Sequence, residues 1–371
     1  MKIIIVLALL STLLIGGACG QAASTEKENT VANTVAVSTE NDSDLFTDRD
    51  LKQTPDLSEA EYISLEDGKD ITISSEGVYV LSKEAENVTV CVDADDDAKV
   101  QLVLDGVTIV NTDKPCIYVK NADKVFVTAV SNDNTLSVSG SFTADGDTNT
   151  DAVIFSKDDL VLNGTGKVTI SSTDNGIAGK DDIKVTGGTW LLSCKGDGIQ
   201  ANDRVLIADG NIEISAVEGI EGTVIKINGG TIDIEASDDG INAAQKSSSY
   251  TPYFEMNDGN VTITMGQGDT DGVDSNGDIV INGGTISITG QSTFDYDGTA
   301  EYNGGTIIEN GQETNTITNQ FFGGQGGMGG PGGMDGQGRM ENGEKPEMPG
   351  DMGNGEKPGM PGGHGKMGNS L

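Results

Sequence analysis

The sequence predicts an all-β chain wound as a parallel β-helix, on three observations. The first is short alternation of apolar and polar residues, as in Ile225 and Ile227, then Ile232 and Ile234, then Ile279, Ile281, Ile286 and Ile288. Each run has the period of a half-buried strand. The second is a recurring Gly-Gly-Thr turn at 187–189, 229–231, 283–285 and 304–306, with Asp209-Gly210-Asn211 and Asp258-Gly259-Asn260 as variants. The third is a signature of acidic or amide residue, Gly, then Ile or Val. It occurs at Asn175, Asp197, Glu218, Asp239 and Asp271, in steps of 22, 21, 21 and 32 residues. Self-similarity at that period, with no helical pattern between strands, describes stacked coils. Like positions on successive coils then lie about 4.8 Å apart, so a sequence repeat becomes a ladder of side chains.

From the N-terminus, the apolar run Ile3 to Ile15 is too short to span a bilayer and has the length of a signal-peptide core. It ends in Gly16-Gly17-Ala18-Cys19, which resembles a lipoprotein lipobox, with Cys19 as the lipidation residue. Residues 1–19 are therefore read as signal, and 20–58 as a polar linker of Ser, Thr, Asn, Asp and Glu. Residues 59–318 form the β-helix. Residues 319–371 form a Gly/Met/Pro-rich tail expected to be disordered, with 19 of the 53 glycines after Phe322. This places a monomer on the outer face of the bacterial cell membrane, attached only through its lipid.

Charge and composition exclude whole classes of function. With 22 Lys+Arg against 59 Asp+Glu the net charge is −37, which excludes nucleic acid, whose phosphates require a basic surplus. The one histidine, His364, lies in the tail, so His-based triads and multi-His metal sites are unavailable. Cys91, Cys116 and Cys194 read as buried thiols or at most one disulfide, without zinc spacing. Trp190 follows a Gly-Gly-Thr turn and is either packed inside the coil or available to a ligand.

The acidic corners carry the chemistry. Two carboxylates one coil apart repel by roughly 3 kcal/mol at an effective dielectric near 20, and by about 1 kcal/mol in water. A hard divalent cation removes that cost, and Ca²⁺ suits flexible oxygen donors. Two runs concentrate ligands: Asp238, Asp239 and Asn242, then Asp269, Asp271 and Asp274; Asp197 and Glu218 are isolated acids of the same ladder. A second ladder, Lys157-Asp158-Asp159 and Lys180-Asp181-Asp182, offers either stacked ion pairs or a sugar-carboxylate anchor at Lys180. The insertion Gln245 to Tyr253 brings Tyr250 and Tyr253, with Phe254 beside them, as candidate stacking surface.

These residues resemble a family of bacterial cell-surface carbohydrate-binding β-helix proteins related to calcium-dependent pectate lyases of polysaccharide lyase family 9. The likeness covers roughly residues 63 to 310 and rests on Val100-Gln101-Leu102-Val103-Leu104-Asp105-Gly106-Val107, Ile117-Tyr118-Val119-Lys120-Asn121-Ala122-Asp123-Lys124 and Phe155-Ser156-Lys157-Asp158-Asp159-Leu160. Asp239-Gly240-Ile241-Asn242-Ala243-Ala244 and Asp271-Gly272-Val273-Asp274-Ser275-Asn276-Gly277 complete it. The resemblance implies a right-handed single-stranded helix, calcium sites and binding of cellulose or pectate-like polysaccharide. Asn242 stands where the lyases' Asp-Asp-Gly-x-Asp cluster has its last Asp. No Lys or Arg occurs between Lys246 and Arg339, so a lyase base has to come from Lys226, Lys246 or an earlier coil, as Lys180 would. The expectation is a non-catalytic polysaccharide binder, with a calcium-dependent lyase and a structural adhesin or spacer as alternatives.

Overall fold

Alternation in the sequence becomes coil geometry in the computed structural model, which describes residues 45–268 and 270–320. The signal and lipobox-like residues, the linker up to residue 44, Asp269 and nearly all of the tail lie outside them. Among the described residues the regular elements are thirty strands, all but the last in parallel ladders, which wind about ten turns. Each turn contributes to three faces.

The front sheet holds ten strands in strict sequence order, from Ile71–Ile73 to Ser292–Tyr296, and includes Asn175–Gly179, Ile199–Ala201, Ile220–Gly222, Ile241–Ala243 and Asp271–Ser275. The side ladder runs through Lys124–Ala129, Asp159–Gly164, Ile183–Val185, Arg204–Ile207, Val224–Ile227, Tyr253–Met256 and Asp278–Ile281. The back ladder runs through Asn134–Val138, Lys167–Ser172, Thr189–Ser193, Asn211–Ala216, Thr231–Ala236, Asn260–Met265 and Thr285–Thr289. Side and back ladders merge through the long strands Gly77–Glu86 and Lys99–Asn111. At the other end Gln312–Thr314 folds back antiparallel on Thr306–Glu309 and covers an edge that would otherwise template another chain.

Every second residue points inward and stacks on its equivalent. Leu192, Ile214, Ile234, Ile263 and Ile288 form one such row, each at most 4% exposed. Full burial of one such side chain is worth about 1.5–3 kcal/mol. Glycine occupies the two corners for different reasons. At the side-to-back corner the chain needs positive φ, as at Gly230, φ +91°. At the back-to-front corner space is the constraint: a Cβ on Gly219 would stand 2.4 Å from the Gly240 carbonyl and 2.5 Å from Ile234 Cγ2. The residue before that glycine faces out, which is where the acids sit.

Part of the segment read as linker docks on the body. Asp50 is wholly buried between Lys124 Nζ at 3.4 Å and Lys184 Nζ at 3.8 Å. Lys184 also donates to the Leu45 carbonyl at 2.7 Å, and Gln53 bonds to Thr186 and Gly164. Residues 45–53 thus strap the outer side ladder through charges that composition alone could not pair. Cys116 and Cys194 are buried free thiols, Cys91 is a half-buried one, and Trp190 lies inside the solenoid with its Nε1 donating to the Gly187 carbonyl at 2.9 Å.

Candidate functional site

Register on the front sheet sets up the site. Starting from the inward isoleucines, the next residue of each coil faces out and aligns as Tyr118, Phe155, Ala178, Gln200, Glu221, Asn242, Asp274 and Asp295. Beside this row stand the corner residues Asn175, Asp197, Glu218, Asp239 and Asp271. The face is aromatic and lysine-flanked at its first coils and acidic thereafter.

Asp197, Glu218 and Glu221 form one group, each with a carboxylate oxygen within 4.8 Å of the others'. Gln200 Nε2 donates to Asp197 and to Glu221, at 2.7 Å each. Lys246, from the insertion, pairs with Glu221 at 2.5 Å. Asn242 Nδ2 donates to Glu218 at 3.1 Å, which leaves Asn242 Oδ1 buried without a hydrogen-bond partner. A buried acceptor with nothing to accept is costly, by roughly 1–3 kcal/mol, and a cation supplies what it lacks.

The electrostatics agree with the geometry. Burial, then the charges of Glu221 and Asp197, push Glu218 up to about 8. Burial and then Glu221 push Asp197 up to about 6. One coil on, Asp239 rises to about 7, chiefly through burial, although its carboxylate accepts from the Asp271 amide at 3.0 Å. Asp274 rises to about 6 through burial and then its register neighbour Asp295. Burial is the chief reason that these four carboxyl groups on one face resist ionisation, and it raises Asp181 at the neighbouring corner to about 6 as well.

The sequence-predicted ligands therefore separate. Asp197 and Glu218, read as isolated, belong to a close group with Glu221, whereas Asp238 is exposed to solvent and Asp269 lies outside the described residues. Asp239, Asp271 and Asp274 sit together on neighbouring positions, with Asn242 between the two groups. Sequence reading missed Gln200, Glu221 and Asp295, and considered Lys246 only as a base. The first two were signalled by the repeat itself, because the residue after each inward Ile must face out.

The other candidates are redistributed. Phe254 points into the core in line with Ile225 and Ile279 and is fully buried, so it offers no stacking surface. Tyr253 covers Lys226 on the side ladder, ring to Nζ 5.7 Å, and Tyr250 packs on the Arg204 guanidinium at 4.9 Å. Lys226 is buried and paired with Glu255 at 2.9 Å on that same ladder, not on the acidic face. Lys180 and Lys157 do not form stacked ion pairs. Their ammonium groups stand over the rings of Phe155 at 5.5 Å and Tyr118 at 5.8 Å. A second carboxylate group, Asp181, Asp182 and Asp203, lies at the front-to-side corner, where Arg204 grips Asp182 with Nη2 at 2.6 Å and Nε at 3.0 Å.

Comparison with known proteins places the chain. Residues 67–314, well over half its length, match the family model described as carbohydrate-binding domain-containing protein, and the chain belongs to that family. A relative carrying the same description, from Acetivibrio thermocellus, is 35% identical over 124 residues, which is 32% of this chain and 43% of that protein. The chain thus spans under half the length of that relative. The solved polysaccharide lyase-like protein from C. thermocellum, studied as a gadolinium derivative, superposes with a TM-score of 0.50 at 24% identity, covering 67% of this chain and 96% of that one. At that identity the likeness shows the shared fold.

Proposed function

We propose that the protein is a non-catalytic, cell-surface binder of plant-wall or acidic polysaccharide, held at the membrane through Cys19, and that Ca²⁺ on its acidic front face links protein to sugar carboxylates. The family supports carbohydrate as the partner class. One observation carries the cation: three carboxylates within 4.8 Å, beside a buried amide oxygen that has no partner. The donors are all oxygen, and they come as carboxylates and an amide carbonyl, the set a hard divalent ion takes. Asp197, Glu218, Glu221 and Asn242 would hold it, with Asp239, Asp271 and Asp274 available one coil on. Bound there, the ion supplies positive charge to a face that otherwise repels a polyanion, because the chain carries −37.

The protein's own groups support binding over β-elimination. The lysine that reaches these acids, Lys246, is already engaged by Glu221 at 2.5 Å. Retention of polygalacturonate and of cellulose, measured with calcium and with EGTA, tests this reading. Polygalacturonate held with calcium and released by EGTA is the expected result. Equal retention in EGTA overturns the calcium link, and a steady rise in absorbance from unsaturated product shows a lyase.

A further inference from the structure

The lysine-flanked half of the front face is occupied by a hairpin that the acid ladder does not explain. Between back strand Asn134–Val138 and front strand Ala152–Ser156 the chain runs out through residues 139–151, whereas the next coil makes the same corner with residues 173–174 alone. Asp145 and Thr148 exchange backbone hydrogen bonds of 2.9 and 3.0 Å around Gly146, φ +60°, so the excursion ends in a tight tip. That tip is anchored by one carboxylate. Asp145 Oδ2 accepts from Tyr118 Oη at 3.1 Å and meets Lys120 Nζ at 3.2 Å.

Beneath it lies an apolar island separate from the solenoid core. Tyr118 and Phe155 meet edge-on, with centroids 5.8 Å apart, and Ala152 and Ala178 pack beside them. Lys120, Lys157 and Lys180 fall on successive coils along one edge of this island. Lys157 and Lys180 present their charge to rings rather than to carboxylates. In a chain of −37, a row of three lysines, two of them over aromatic rings, is an exception. A phenol and an ammonium that converge on one carboxylate oxygen match the chemistry of a uronate, and the buried rings beneath fix the phenol in place.

We propose that this half of the front face is a glycan subsite for a uronate carboxylate, and that Asp145 is the resident carboxylate which a bound sugar displaces. It rests on the polysaccharide reading above but requires no metal. An exposed pair of this kind is worth at most about 1 kcal/mol, so its removal strengthens uronate binding by up to about fivefold. The tip is held loosely enough to be exchanged and firmly enough to select for a ligand that brings its own carboxylate.

Backbone-amide NMR of the folded chain, titrated with free galacturonate and with neutral galactose, tests this in EGTA. Galacturonate is expected to move the Asp145, Thr148 and Lys120 amides saturably, while galactose leaves them still. In Asp145→Asn, which keeps the backbone bonds of the tip, the midpoint should fall about two- to fivefold; Lys120→Gln or Lys157→Gln should weaken it. Still amides, equal response to galactose, or weaker binding by Asp145→Asn overturns the subsite. If polygalacturonate is retained while these amides stay still, the subsite fails and the broader reading survives. If galacturonate moves them while no polysaccharide is retained, the subsite stands and the broader reading fails.

Discussion

Two carboxylate triplets lie on neighbouring corners of this solenoid, and the protein treats them differently. At the front-to-side corner Asp181, Asp182 and Asp203 are answered from within, because the Arg204 guanidinium forks onto Asp182. On the front face Asp197, Glu218 and Glu221 are crowded as closely, yet they have one lysine at the rim and an amide with an unused oxygen. A fixed cation makes an acidic cluster part of the structure. A shortage of one leaves room for a cation from solution.

The largest effect should come from removing the internal answer. Arg204→Met leaves Asp182, whose side chain is 5% exposed, buried beside two other acids, and should cost about 3–5 kcal/mol in denaturant unfolding. A loss under 1 kcal/mol would erase the contrast between the triplets.

Next is the opposite change on the front face. Glu218→Gln removes one charge from a repelling set, so the cation-free protein should become more stable, by roughly 1–3 kcal/mol at pH 8. Saturating calcium should then add little, whereas in wild type a hundredfold excess over Kd adds about 2.7 kcal/mol. Destabilisation of the cation-free form by Glu218→Gln would mean that the carboxylate is structural.

The pH dependence is smaller and has a defined sign. The front-face acids have folded-state pKa values above their unfolded ones, so folding is favoured by protons. That stability is complete below about pH 4. It is lost as pH rises through about 6 for Asp197 and Asp274, about 7 for Asp239 and about 8 for Glu218. Tm in EGTA should therefore fall between pH 5 and pH 8, and calcium should raise Tm more at pH 8 than at pH 5. A flat or rising profile in EGTA would contradict the shortage of positive charge. The smallest effect belongs to Asp181→Asn, which should leave the calcium response of Tm unchanged.

Much of this was legible before any coordinates. The Gly-Gly-Thr and acid-Gly-Ile repeats specify coils because each glycine answers a backbone need at a fixed corner. The same repeat implies the outward row, since the residue after each inward Ile or Val, whether Gln200, Glu221, Asn242 or Asp274, has nowhere else to point. Alternation in Tyr253-Phe254-Glu255-Met256 likewise puts Phe254 inside, against the impression made by an aromatic insertion. What the repeat cannot carry is contact between distant segments. Lys246 reaches Glu221 from a loop peculiar to one coil, and Asp50 meets Lys124 and Lys184 from a segment whose composition reads as linker. The hairpin at Asp145 is legible as a long connection, but its landing place on Tyr118 and Lys120 is not.

The central claim is that the front triplet, unlike its neighbour, takes its missing charge from solution. Calorimetric titration of the full chain with calcium tests it most directly, comparing wild type with Glu218→Gln/Glu221→Gln and with Asp181→Asn/Asp203→Asn. The account predicts saturable binding that the front variant loses by at least tenfold and the corner variant keeps. Binding lost in the corner variant and kept in the front one, or absent from wild type, would contradict it.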